Sequence, residues 1–265
     1  MPKKPKKITA AKPVEAALEA IPHRAGLPAK DSVIGVTSAP KYTIIHTLEA
    51  DRYDKGATSA LGLATAALAA KAAPAGDDFG GTDRKAAKLS VSDAETESFD
   101  NVSDLIATLP AESKMKAHKP PISTAATSGR VKEEDRNIHV DAFIYAASRE
   151  KDNDFHLIVG MDPDGDTEMY MTMEISGLPD EGDDSFAQIK SARDEFKQFF
   201  EDNSLTLPPM TYDFYNPPLK VTIEGSLFFD MTHAKGGGPR PGPSSLKGHM
   251  PVIWEVHPVS TIVFK

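Results

Sequence analysis

The sequence predicts a mainly β protein: five strands and one helix in the C-terminal half, behind a helical or irregular N-terminal region. Three observations carry that reading. Apolar residues alternate with period two in several short runs after residue 131, which is strand spacing. A single helical stripe falls between the third and fourth of these runs. Proline and glycine clusters punctuate the rest. Three strands, a helix and two more strands is the element order of a five-stranded Greek-key barrel of the OB type.

Residues 1–40 place Pro2, Pro5, Pro13, Pro22, Pro28 and Pro40 among alanine and lysine. This spacing interrupts helices and buries little, so a disordered leader is expected, with one short helix at 14–20. Lys3, Lys4, Lys6 and Lys7 make its tip basic. Residues 41–117 form the helical or irregular region. It opens on a strand-like run at 41–48. An alanine-rich stretch at 60–73 resembles a signal-peptide core, but lies too far from the start and reads as a helix. Phe99, Val102, Leu105 and Ile106 share one helical face, which Ser98 or Asp100 could cap. Pro120 and Pro121 stop helix continuation, so residues 118–130 are taken as a linker and 131–265 as the barrel.

Within the barrel, 137–148 is the first strand, with Ile138, Val140, Ala142, Ile144 and Ala146 on one face. Residues 155–159 and 168–175 are the second and third, joined by a turn at 162–166. That turn, Asp162-Pro163-Asp164-Gly165-Asp166, has carboxylates at alternate positions but lacks a complete calcium loop, so a hairpin turn is preferred. The helix covers 185–201, with Phe186, Ile189, Phe196, Phe199 and Phe200 as its apolar stripe and Asp183, Asp184 or Ser185 as its cap. A proline-rich loop at 207–218 leads to a fourth strand at 219–229. A Gly/Pro loop at 236–243 leads to the fifth at 252–257, which continues over 259–264.

Composition bounds the function. With 265 residues and no cysteine, the chain has no disulfide, thiolate metal site or cysteine nucleophile. Residues 1–130 hold 18 Lys/Arg against 15 Asp/Glu, and residues 131–265 hold 12 against 24. A half with twice as many acids as bases disfavours a phosphate backbone. Nucleic acid is therefore not expected as a partner, except through the basic tail; a protein, peptide or cationic ligand suits the acidic half better. No stretch approaches the roughly 20 apolar residues of a membrane-spanning helix, and with no N-terminal signal peptide recognisable, a soluble cytoplasmic protein is the default expectation. No G-x-S-x-G, P-loop or H-E-x-x-H pattern occurs, and Gly236–Gly238 lacks the following helix start that a phosphate cradle needs.

Three histidine-bearing strings remain: Asp152-Asn153-Asp154-Phe155-His156, Gly225 through His233 (GSLFFDMTH), and Trp254-Glu255-Val256-His257-Pro258-Val259. With these motifs in this order, residues 136–265 resemble a family of bacterial proteins that carry D-x-D-[FY]-H, G-x-x-F-F-D-x-x-H and [LW]-E-[VIL]-H-P-V. The resemblance implies an OB-like fold and no particular activity. The candidate ligand or metal residues are His139, Asp154, His156, Asp230, His233, Glu255 and His257. Imidazole and carboxylate suit zinc or another divalent ion. The same residues also have a structural reading, in which each histidine bonds a carbonyl or carboxylate and packs. The barrel topology is expected to group His139, Asp230 and His233 on one rim and Asp154, His156 and His257 on the other. The expected function is a non-catalytic binding or structural module with an acidic surface. A metal-dependent, nuclease-like hydrolase using these clusters is the alternative, and a divalent metal is the one cofactor the pattern would take.

Overall fold

The computed structural model describes residues 25–50, 76–165, 168–235 and 241–265. The lysine tail, the helices expected at 14–20 and 60–73, and Gly236–Gly238 lie outside these residues.

The chain is mainly β, with one mixed eight-stranded sheet and a few helices. In order, the elements are β1 (Val33–Ser38), β2 (Thr43–Thr47), α1 (Lys85–Lys88), β3 (Thr96–Phe99), α2 (Val102–Ala107), α3 (Glu112–Lys116), β4 (Asn137–Arg149), β5 (Phe155–Gly160), β6 (Tyr170–Ile175), α4 (Phe186–Asp202), β7 (Asp213–Phe229), α5 (Met231–Lys235) and β8 (Trp254–Phe264). The sheet order is β1-β2-β7-β8-β6-β5-β4-β3, and β7 also pairs with β4. The pairings β4–β5, β5–β6, β6–β8, β8–β7 and β7–β4 thus form a closed circuit of five strands, with only β6–β8 parallel. The hairpin β1–β2 extends the sheet from β7, and β3 extends it from β4.

The sheet is therefore larger than the five strands expected. Val33–Ser38 lies inside the region expected to be a disordered leader, yet it pairs along β2. Nor is the N-terminal region set apart by a linker. Ile44, Val102, Leu105, Met115 and Ile122 share one buried cluster with Ile138, Leu157, Met173, Phe196, Ile223 and Val256. Residues on both sides of the expected linker therefore pack into one apolar cluster.

Local departures have local causes. A register shift against β5 between Ile144 and Ala146 inserts an extra residue, so Ala147 joins Ile138, Val140, Ala142 and Ile144 in this cluster, and Ala146 is buried in a second one. The strand β7 begins at Asp213, inside the expected proline loop, because Pro217 and Pro218 fall where it has no ladder partner. The helix α2 starts later than Phe99 and is capped by Asn101, whose side chain accepts the Asp104 N–H. Ser185 precedes α4 but gives its hydroxyl to the Leu89 carbonyl instead of capping.

Residues 77–92, which include α1, lie over the outer face of β5, β6 and β8. Arg84 donates to both oxygens of Glu134 at 2.5 and 2.7 Å and to the Gly129 and Phe229 carbonyls. Arg130 donates to the carbonyls of Ala87, Ser90, Leu227 and His257. At the far end, the Asp77 carboxylate receives Arg193 and Lys197 from α4. The fit is close enough that a Cβ on Gly177 would stand 2.7 Å from the Phe79 Cα.

Candidate metal centre

Period-two alternation sends Phe155, Leu157, Met171, Met173, Ile175, Trp254 and Val256 into the core. The intervening residues His156, Glu174, Glu255 and His257 therefore face the other way, towards the cover. On a solvated sheet they would be exposed. Here each is at most 3% exposed.

Strand register brings them together. His156 on β5 lies opposite Glu174 on β6. The parallel pairs Thr172–Glu255 and Met173–Val256 place Glu174 beside His257 on β8, with His257 Nδ1 2.7 Å from Glu174 Oε2. His156 Nδ1 is 2.9 Å from Glu150 Oε1 and 3.5 Å from Glu174 Oε1. Asp154, just before β5, accepts the Gly177 N–H through Oδ1 and places Oδ2 3.4 Å from His257 Nε2. Asp230 follows β7, caps the next turn by accepting the Thr232 and His233 N–H groups, and meets His233 Nδ1 with its other oxygen. Glu255 lies 3.8 Å from His257 Nδ1.

Six of the seven sequence candidates therefore form one connected cluster. The expected division between two rims fails because β8 does not end near His257. It runs on through Pro258 to Phe264, so Glu255 and His257 mark its start, and Trp254 pairs with Phe229 at the end of β7. The beginning of β5, the end of β6, the beginning of β8 and the end of β7 consequently share one corner. His139 is the exception. It lies on β4 with Nδ1 2.8 Å from Glu224 Oε1, both side chains 39% exposed, in a surface pair of ordinary kind.

Glu150, Asp152, Glu174 and Lys88 complete the cluster, and the sequence reading missed them. An acid on the outer face of a strand, as Glu174 is, looks like any solvent-facing residue. Lys88 sits in a run of alternating charge. Neither sends a signal until the cover is in place.

Among the described residues, three donor groups have ligand atoms within 4.8 Å of one another: Glu150, His156 and Glu174; Asp154, Glu174 and His257; and Asp230, His233 and Glu255. The third opens outward. A cavity of about 270 Å³ is lined by Thr82, Asp83, Lys88, Phe228, Asp230 and His233, among others. An adjoining one of about 400 Å³ continues past Gly80, Gly81 and Met210.

The electrostatics show too many carboxylates for the cations present. Burial, then the neighbouring Asp152, pushes the Asp154 carboxyl well above the usual carboxylate range. Burial, then Glu174 and Asp230, does the same to Glu255. Burial alone would also raise Glu174, but His257 and Lys88 overcome it and hold Glu174 well below that range. Burial pushes Glu150 up to about 7, against the pull of His156. Burial opposes charge on Lys88 as well, yet Glu174, Asp154, Asp152 and Glu255 hold its ammonium well above a free lysine. Both Glu255 oxygens are buried without a hydrogen-bond partner among the described residues. An orphaned buried polar group costs about 1–3 kcal/mol, more when charged.

Comparison with protein-family models, curated proteins and solved structures finds no match.

Proposed function

We propose that the protein is a divalent-metal-dependent hydrolase built on an OB-type barrel. For the fold, the support is the circuit β4-β5-β6-β8-β7 with its parallel β6–β8 pair and a helix between the third and fourth of those strands. The likeness to the three-motif bacterial family belongs to the same proposal: Asp154, His156, Asp230, His233, Glu255 and His257, one or more from each motif, converge on one cluster.

The observation that carries the activity is Glu255. Its carboxylate is 1% exposed, has no hydrogen-bond donor among the described residues, and stands within metal-ligand reach of Asp230 and His233 beside a cavity. Two carboxylates and an imidazole fit zinc or manganese, with the cavity side left for water or substrate. Bound there, such an ion would polarise a carbonyl or phosphoryl oxygen and acidify water. The chain's own residues would fix its position. Asp230 is held by the Thr232 and His233 N–H groups, and Glu255 by its place opposite Phe228 in the β7–β8 ladder.

The two cavities are lined by Asp83, Glu150, Asp152 and Asp230 and also by Arg84, Lys88, Arg149 and Lys151, so charges of both signs face a substrate and the lining sets no preference between an ester and a phosphodiester. All twelve residues of β5 and β6 are buried, so the broad open face on which an OB-type module would seat a partner is covered by this chain itself.

The test is metal content. Protein purified without chelator should retain a stoichiometric divalent ion, lost in His233→Ala and Glu255→Gln with the fold intact by circular dichroism. The loaded protein should hydrolyse p-nitrophenyl acetate, a peptide p-nitroanilide or bis-p-nitrophenyl phosphate faster than the metal-free protein does. Wild-type protein that retains no ion, and takes up neither Zn²⁺ nor Mn²⁺ when supplied, overturns the reading and leaves the non-catalytic module.

A further inference from the structure

Lys88, the last residue of α1, reaches from the cover into the cluster with its side chain 14% exposed. Its Nζ stands 3.8 Å from Asp152 Oδ2, 3.9 Å from Asp154 Oδ2 and 4.0 Å from Glu174 Oε2. The three distances are nearly equal, and each exceeds the roughly 2.7–2.9 Å of a charge-assisted hydrogen bond. The ammonium is thus held by the combined field of three carboxylates and not by a bond to any one of them.

Asp154 and Glu174 belong, with His257, to the inner donor group, whose ligands are all buried. That group adjoins the outer one, Asp230, His233 and Glu255, through the 3.8 Å approach of Glu255 to His257. Hydrolytic centres with two ions hold them in adjoining donor groups, and two such groups adjoin here. An ammonium stands within 4.0 Å of two of the inner group's three ligands. Its delivery is rigid, because Arg84 and Arg130 tie both ends of α1 to the barrel.

We propose that Lys88 takes the place of a second divalent ion, so that the protein holds a single ion at Asp230, His233 and Glu255 while the ammonium neutralises Asp154 and Glu174. This rests on the metal-centre reading above and adds the occupancy of that centre. An ammonium carries one charge and no vacant orbital. It balances the inner carboxylates without ligating them, and it repels a divalent ion from the inner group.

The experiment counts ions. Full-length wild type, Lys88→Met and Lys88→Arg are stripped with chelator, reloaded with Mn²⁺, freed of excess by gel filtration and measured by elemental analysis. Paramagnetic resonance distinguishes isolated from spin-coupled Mn²⁺. Wild type and Lys88→Arg should hold one uncoupled ion per chain and Lys88→Met two coupled ones, the second lost again when His257→Ala is added. Two ions in wild type, or one in folded Lys88→Met, overturns the proposal and leaves the metal-dependent hydrolase standing. No ion in any variant overturns both. Should Lys88→Met not fold, Lys88→Gln is counted in the same way, and the wild-type count still decides between one ion and two.

Discussion

Arg84 and Glu134 show how single residues hold the cover in place. Their side chains are 2% and 0% exposed, and the guanidinium meets both carboxylate oxygens. Glu134 also accepts the Val131 and Phe229 N–H groups, so its charge is satisfied from three directions. Breaking such a pair from one side leaves a buried charge uncompensated, which costs about 3–5 kcal/mol. Arg84→Met should therefore lower the free energy of unfolding, measured by denaturant titration, by that amount, whereas Arg84→Met with Glu134→Leu should recover much of it. Equal loss in the single and double variants would show that the arginine matters through its carbonyl contacts and not through its charge partner.

Along the elements, strands were legible wherever alternation was uninterrupted. Residues 155–159 and the run ending at Ile175 stand out because each second residue is apolar, and β5 and β6 lie where that pattern puts them. The pattern fails at β7, where Pro217 and Pro218 look like a loop and instead occupy a gap in the ladder. It fails again at β1, whose Val-Ile-Gly-Val run is short and surrounded by leader-like composition. The site was half legible. Its histidines and aspartates stood out as polar exceptions, but their meeting depended on β8 running on past Pro258, which puts Glu255 and His257 at its start and not its end.

The hairpin β1–β2 carries its own titratable contact. His46 Nδ1 is 2.8 Å from Asp213 Oδ1 on β7, and its Nε2 is 2.8 Å from the Thr37 hydroxyl on β1. The hydrogen bond to Asp213 raises the His46 pKa against the lowering effect of burial. Burial meanwhile pushes Asp213 up, with His46 pulling it down. A raised folded-state pKa means that the imidazolium contributes stability fully below the unfolded value near 6.5 and loses it as pH rises through the raised value. Amide exchange at Ile44 and Ile45 should accordingly quicken as pH climbs across that window, after correction for intrinsic base catalysis. His46→Gln should abolish the effect. A pH-independent protection factor in wild type would remove the pair from any role in anchoring the hairpin.

For the whole molecule, proline spacing at 120–121 suggested a boundary that the packing does not respect. Residues before 131 bury Val102, Leu105, Met115 and Ile122 in the same core as the strands after it, and they supply Arg84, Lys88 and Arg130 over the polar row. A fragment of residues 131–265 would expose that row and much apolar surface, and should give no cooperative thermal transition. A fragment of residues 76–265 keeps the cover and should unfold cooperatively. Independent folding of the shorter fragment, seen as dispersed amide resonances, would restore the boundary read from the prolines.

The two-rung parallel contact between β6 and β8 joins Thr172 to Glu255 and Met173 to Val256, segments separated by most of the C-terminal half. Contacts so far apart in sequence form late, after shorter loops have closed. Glu255 and His257 meet Glu174 through this contact, and Glu255 meets Asp230 and His233 through the β7–β8 ladder, so on a growing polypeptide the cluster has no existence until β8 has left the ribosome and docked. An ion bound at the proposed centre would then be the closing event of maturation, not its seed.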